Sequence, residues 1–444
     1  MKCLSSVLLV GMAAFGATVA EEAPPKPAPN LEPAEAVKQL GSDDYETRQA
    51  AVRALVQAGA SAKGALEAAK NAQDIEVRRH VNVLLMQIEA REGQAEFYTQ
   101  LHELLGTVLG ADLGKLPKLQ AADDKNAPAA ADGEKDTLRW LCDRQEDDGH
   151  WDSLKHGAQV QADVEQTALA LLALLGAGHT EKVGIYKVNV RKAVAWLIKQ
   201  QREDGAFLRP GEKEPIGLVH ALGMLALAEA SGMGRIAETV KAAEKAVNYC
   251  ADHQSKRDGQ PDGWGAARRS DNPDLFTSTF FVLALKSSKV AGLHVNPECF
   301  DGVIHFLERM DRPDAKAFVV ADGAKPSYQA AIMGSLCRLF LGWKNDDVQP
   351  YLDGASKIAE QSLLAPSNFD DVSSYFYLLG VFHFGGEIFQ DYQKSLDVFL
   401  RAHQDAKGAW KAPGVWAGMG QVGGTALTAL SFAVRLRFQR LTGQ

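Results

Sequence analysis

Residues Thr137–Trp151 read TLRWLCDRQEDDGHW, and this stretch decides how the rest of the chain is understood. It has the form of a helix end, a Gln, acidic residues, a Gly and an aromatic. The same form returns as AWLIKQQREDGAF (Ala195–Phe207), as NYCADHQSKRDGQPDGW with a longer loop (Asn248–Trp264), and as FLRAHQDAKGAW (Phe399–Trp410). Weaker copies stand at FLERM (Phe306–Met310) and KIAEQ (Lys357–Gln361). Anchored on the Gln or its substitute, the copies fall at 145, 201, 254, 310, 361 and 404. A period of roughly 50 residues is the signature of a helical repeat array.

Each unit holds two helices of different character. The first, such as VNVRKAVAWLIKQQ (Val188–Gln201), has one apolar and one charged face. The second is apolar almost all round: TALALLALLGAG (Thr167–Gly178), GLVHALGMLALAEASGM (Gly217–Met233), TSTFFVLALKSSKVAG (Thr277–Gly292), and three later equivalents ending at GTALTALSFAVRL (Gly424–Leu436). A helix apolar on every side must be covered on every side. Two layers therefore follow, with the second helices inside. An open array needs polar capping repeats at its ends, and the last unit is as apolar as the middle ones. The expected fold is all-α: an alpha/alpha toroid of about six helical hairpins over residues 136–444.

Within the repeat, Gly149, Gly205, Gly263 and Gly408 allow the tight turn between layers. Trp151, Phe207, Trp264 and Trp410 pack back on the helix just left. Gln145, Gln201, Gln254 and Gln404 bond exposed backbone groups at helix ends. These are fold-holding roles.

Those same residues resemble the repeat of squalene and oxidosqualene cyclases and of protein prenyltransferase beta subunits, which are alpha/alpha toroids. GAGHT (Gly176–Thr180), LKSSKVAGL (Leu285–Leu293) and FLGWKNDD (Phe340–Asp347) also resemble exported bacterial proteins carrying these repeats, a group to which no reaction is assigned. The cyclase resemblance implies an acid in a run Asp-x-Asp-Asp-Thr-Ala at the start of an inner helix. Here the run is Asp163-Val164-Glu165-Gln166-Thr167-Ala168. The position matches and the content is degenerate, so Asp163 and Glu165 are the weak catalytic candidates. The plain reading is that Asp163 caps the helix and Glu165 supports its first turn. The prenyltransferase resemblance implies zinc held by Asp, Cys and His. Glu298-Cys299 with a distant His383 is a poor echo of it, so no metal and no cofactor is expected. Macroglobulin-type thioester domains share the toroid but need a Cys-x-Glu-Gln run, which is absent.

Residues near the starts of inner helices would face the ring mouth. Beyond Asp163 and Glu165 they are His220, Asp274, Tyr328, Asp370, Asp371, Tyr375 and Gln421. His220, Asp274, Tyr328, Asp371 and Tyr375 are the cavity-lining candidates. Each also has a structural reading: His220 as a satisfied core residue, Asp370-Asp371 as a helix cap, and the aromatics as core.

The flanks read differently. Residues 1–20 form a signal peptide: Lys2, an apolar run Leu4–Val19, and small residues Thr18 and Ala20 before Glu21. The expected location is exported, periplasmic or secreted, after cleavage near Ala20. Residues 21–34 are a Pro-rich tether. Residues 35–110 resemble a HEAT-like helical module through Asp43, Asp44, Thr47 and Arg48, and again through Asp74, Val77 and Arg78. Such a module binds a partner or serves as structure. Residues 111–135, low in aromatics, are a flexible linker. With 48 basic against 56 acidic residues, net −8, and no basic block, no nucleic-acid partner is expected. After residue 20 no stretch is long and apolar enough to span a membrane. Cys142, Cys250, Cys299 and Cys337 are too sparse for a disulfide scaffold and read as buried thiols. The functional expectation is a non-catalytic binding or scaffolding protein, taking a protein partner or an apolar small molecule. The alternative is a terpenoid-cyclase-like enzyme initiating cyclisation with an acid.

Overall fold

The computed structural model describes residues 31–42, 44–72, 74, scattered positions between 77 and 96, then 134–213, 215–265, 272–364, 369–384, 386–410 and 418–441. The segments expected as signal peptide (1–20), most of the expected tether (21–34) and nearly all of the expected linker (111–135) lie outside these residues. The chain divides into two compact units, Met1–Leu84 and Leu85–Gln444.

The first unit contains α1 (Pro33–Gln39), α2 (Tyr45–Ala58), a 3-10 turn (Gly59–Ala62) and α3 (Lys63–Ala68). The tether therefore gives way to helix at Pro33, a residue suited to a first helical turn. Two helix starts thirty residues apart are held alike. Asp44 accepts from the Thr47 N–H at 2.8 Å and Asp74 from the Val77 N–H at 3.3 Å. Arg48 donates to the Ser42 carbonyl and Arg78 to the Ala72 carbonyl, at 2.6 and 2.5 Å.

Among the described residues the second unit carries twelve helices. Those with even numbers are amphipathic: α4 (Glu134–Cys142), α6 (Lys187–Gln200), α8 (Ala237–Asp252), α10 (Glu298–Met310), α12 (Asn345–Leu364) and α14 (Gly386–His403). Those with odd numbers are apolar: α5 (Asp163–Gly176), α7 (Gly217–Gly234), α9 (Leu275–Val290), α11 (Tyr328–Leu341), α13 (Asp371–Phe384) and α15 (Gln421–Leu441). Each odd helix packs on the next odd helix, and α15 packs on α5, which closes the inner ring. All fourteen residues of α5 are buried, so burial rather than helix propensity holds it. The toroid expected from the repeat is the fold. Among the described residues the longer loops add a pair of small sheets, β1 (Lys256–Arg257) with β2 (Gln260–Pro261), and β3 (Asp311–Arg312), β4 (Ala317–Val319) and β5 (Pro326–Ser327).

The packed hairpin is not the unit written in the sequence. Each inner helix packs mainly on the outer helix that follows it, and α15 takes α4, the first helix of the ring, as its outer partner. The Gln-Gly-aromatic stretch is thus a crossover between hairpins, and its hydrogen bonds run round the ring. Gln145 donates to Gly149 O and to Asn189 O on α6, at 2.8 and 2.9 Å. Gln201 donates to Gly205 O and to Ala242 O on α8. Gln254 reaches Asp262 O and Cys299 O on α10. Gln404 reaches Gly408 O and Thr137 Oγ1 on α4, across the seam. In the weak copy at Met310 the link passes to Asp311, which accepts from Tyr351 on α12 at 2.8 Å. The fifth anchor, Gln361, falls within α12, and its side chain lies outside the described residues.

The glycines are required twice over. Gly149, Gly205 and Gly408 have φ of 106°, 97° and 92°, a region that L side chains avoid. A Cβ there would also run into the backbone carbonyl of Lys192, Lys245 or Asp136 on the neighbouring outer helix. Gly263 lacks the positive φ, but a Cβ on it would crowd Ser278 and Phe306. The aromatics pack back as expected: Trp151 Nε1 donates to Leu141 O and Trp264 Nε1 to Cys250 O, at 2.7 and 3.1 Å.

Candidate functional site

Six parallel inner helices bring their N-terminal turns to one end of the ring, where the long crossovers enter. The backbone N–H of each crossover aromatic is held by a side chain on the inner helix that follows. Thr167 accepts from Trp151, Ser278 from Trp264 and Thr425 from Trp410, at 2.9–3.2 Å. His220 takes this place in the second repeat, accepting from the Phe207 N–H at Nδ1 (3.3 Å) and meeting Ala246 O through Nε2 (3.0 Å). Burial pushes its pKa down to about 4, so the ring is neutral at pH 7. Both nitrogens of His220 are engaged between the two layers.

Asp163 does not cap α5: the N-cap is Ala162, with no side-chain cap. Its Oδ1 accepts from the backbone and hydroxyl of Ser153 at 2.9 and 2.7 Å, and its Oδ2 from Gln161. Asp163 thereby fastens the first crossover, reaching back ten residues to Ser153. Glu165 is fully buried. Its Oε1 receives Arg209 Nε at 2.7 Å and a terminal guanidinium nitrogen at 2.5 Å. Burial raises the Glu165 carboxyl above its usual range, and the Arg209 guanidinium works against that rise. Gln166, the other departure from the acid run, donates to Met419 O at 2.7 Å and lies over Gly423.

Asp274 caps α9 through the Thr277 N–H at 2.7 Å, and Asp370 caps α13 through the Ser373 N–H at 3.2 Å. Asp371 is 5% exposed. Burial, with the charge of Asp370 beside it, pushes its carboxyl up to about 8, and burial takes Asp370 to about 6. A raised native pKa means that the folded state holds a proton the unfolded state has released. The stability contributed by Asp371 is then complete below pH 4 and is lost as pH rises to 8. Asp371→Asn should flatten the melting temperature between pH 6 and 8, above the range in which Asp370 still titrates. It should stabilise the protein at pH 8.5 by on the order of 3 kcal/mol relative to wild type, read by thermal melts across pH. An unchanged pH profile in the variant would refute this.

Tyr375 is buried against Phe376, with ring centroids 6.0 Å apart. Tyr328 is half-buried at the start of α11. The N–H of Gln421 donates to His156 O at 2.9 Å. The ring axis itself is packed. Phe280 on α9 meets Phe376 on α13, two helices away, at 5.2 Å between centroids.

Cys299 is on outer helix α10 and His383 on inner helix α13. Among the described residues no three His, Cys, Asp or Glu side chains converge as metal ligands. All four described cysteines are free thiols. Burial lifts Cys299 to about 11, which leaves it unreactive. A polar surface cleft of about 830 Å³ lies beside it on the outer layer, between Asp252, Lys256, Asn296, Glu298, Asp301 and His305. Among the described residues no helix is long and apolar enough to cross a membrane.

Sequence reading missed Arg209. Arg209 sits in a crossover with no repeat counterpart to flag it.

The closed double ring defines the chain's second unit as an alpha/alpha toroid. Solved structures agree at TM-scores of 0.51. Cellobiose 2-epimerase from Bacillus thermoamylovorans B4167 is 12% identical, with a TM-score of 0.51 over 68% of this chain and 98% of that one. A glycoside hydrolase family 76 mannosidase, Bt3792 from Bacteroides thetaiotaomicron VPI-5482, is 13% identical, with a TM-score of 0.51 over 70% and 99%. The type II terpene cyclase MstE from Scytonema is 11% identical, with a TM-score of 0.48 over 68% and 97%. At these identities the likeness is one of fold. No family model matches the sequence, and no curated protein does.

Proposed function

We propose that this chain is a non-catalytic binding or scaffolding protein, exported by its N-terminal segment and preceded at the ring by a HEAT-like module. The observation that carries this reading is the packed ring axis. Below the first turn, the inward positions Leu169, Leu222, Phe280, Met333, Phe376 and Leu427 are all buried. A cyclase must fold a whole polyene inside its ring, in a pocket on the order of 300–1,000 Å³. It also needs an acid free to give up its proton, whereas Glu165 here is engaged by a guanidinium at 2.5–2.7 Å.

Incubation of the purified chain with squalene and with 2,3-oxidosqualene, followed by gas chromatography and mass spectrometry, tests the reading. No cyclised product is expected. Turnover that disappears in Glu165→Gln would establish the cyclase alternative instead. Native mass spectrometry of material from its own envelope should reveal a co-purifying partner or ligand. The N-terminal residue of that material should follow Ala20.

A further inference from the structure

The loop joining α5 to α6 shows its apolar side chains to solvent. It reads HTEKVGIYKV from His179 to Val188. Val183 is 64%, Ile185 82% and Val188 53% exposed. Large hydrophobics scattered singly over a surface are ordinary. These are three of the six that stand exposed among the described residues, and Ile185 is the most exposed of them. They fall within six consecutive positions, at most about 18 Å of chain.

The display is held in place. Thr180 Oγ1 accepts from the Lys182 and Val183 N–H groups at 3.1 and 3.0 Å, and the Thr180 N–H donates to Val183 O at 2.9 Å. Gly184, with φ of 95°, passes so close to His179 that a Cβ would strike its ring. That ring meets Tyr186 edge-on, at 5.0 Å between centroids. Arg191 on α6 donates to Glu181 O at 2.5 Å. Ser or Asn at 183 and 185 would keep every one of these contacts, so the fold does not ask for the aliphatics.

Positive charge gathers on the same segment. Lys182–Arg202 holds six basic residues and no acidic one, in a chain of net charge −8. Spacing along a loop and a helix hides them from a search for a contiguous block. Lys182, Lys187, Arg191 and Lys192 are exposed. The carboxylates close by have other partners. Glu181 is 6% exposed and accepts from Thr239 on α8. On the crossover packed against Lys192, Glu146 holds Lys155 at 2.6 Å and Asp148 meets His150 at 2.5 Å. Glu238 on α8 is exposed, between the exposed Arg235 and Lys241.

We propose that this loop docks the protein on a bilayer surface carrying anionic phospholipid. Val183, Ile185 and Val188 enter the headgroup region, and Lys182 and Lys187 rest on its phosphates. The two gains reinforce each other there: apolar area leaves water and cations meet an anionic surface. Protein interfaces favour aromatics and Arg and disfavour Lys. This tip is aliphatic and flanked by Lys, and its one aromatic, Tyr186, is turned onto His179. The contact adds to the binding reading above and stands whether or not that reading does.

The test is co-sedimentation of the chain, isolated from its own envelope, with vesicles of one part phosphatidylglycerol to three of phosphatidylcholine, and with phosphatidylcholine alone. Binding to the first is expected, at least tenfold weaker to the second, and falling as salt is raised. Ile185→Ser should weaken it at least fivefold, and Lys182→Ser/Lys187→Ser by about fivefold per lysine. Both variants should melt with wild type, because the side chains they change lie in water. Absence of vesicle binding would overturn the proposal, as would binding unaltered in either variant. A dimer in solution that Ile185→Ser disperses, with no binding to vesicles, would assign the patch to a second copy of the chain instead.

Discussion

Gly205→Ala is expected to destabilise the toroid by about 3–5 kcal/mol, read as a shift in the urea midpoint at unchanged slope. Two costs add at this position. The residue has φ of 97°, and a Cβ would meet the Lys245 carbonyl of α8, a backbone atom inside a packed helix that cannot step aside. Gly211 separates the two costs. It has φ of 82° but nothing within 4 Å of its would-be Cβ. Gly211→Ala should lose only about 1 kcal/mol, the conformational share. Equal losses at the two sites would show that the approach of the outer helix contributes nothing. Gly408→Ala should match Gly205→Ala, because it meets α4 across the seam in the same way.

Arg209→Leu should cost about 3–5 kcal/mol at pH 7, since it strands a fully buried carboxylate. Glu165 is 0% and Arg209 7% exposed, so solvent screening offers little relief. The loss should shrink as pH falls, because protonating Glu165 removes the stranded charge, and its burial-raised pKa places that recovery above the ordinary carboxylate range. The double variant Glu165→Gln/Arg209→Leu should recover most of the stability at pH 7. A double variant as unstable as the single one would mean that Arg209 acts through packing rather than charge.

The repeat was open to reading because its residues are fixed by backbone geometry. Only Gly fits where Gly149, Gly205 and Gly408 pass the next outer helix, and an uncharged amide with two N–H donors bonds two carbonyls at once, as Gln145, Gln201 and Gln254 do. The site was less open to it. Asp163 looked like a helix cap and instead fastens the loop at Ser153. His220 stood out as a lone polar residue in an apolar helix and turns out to stand where other repeats place Ser or Thr. Arg209 carried no signal, because its partner is 44 residues away in an earlier helix.

By itself the sequence determined the two layers, the six-fold repetition and the closed ring. Those follow from helices apolar on every side and from a final unit without a polar cap. Only the tertiary structure decided which helices pair. It took α4 as the outer partner of α15, so that the chain's repeat and the packed hairpin differ by one helix. It also decided what fills the axis, where Phe280 of α9 meets Phe376 of α13. Periodicity tells which face of a helix is apolar, but contacts between helices hundreds of residues apart depend on ring geometry, which no local pattern encodes.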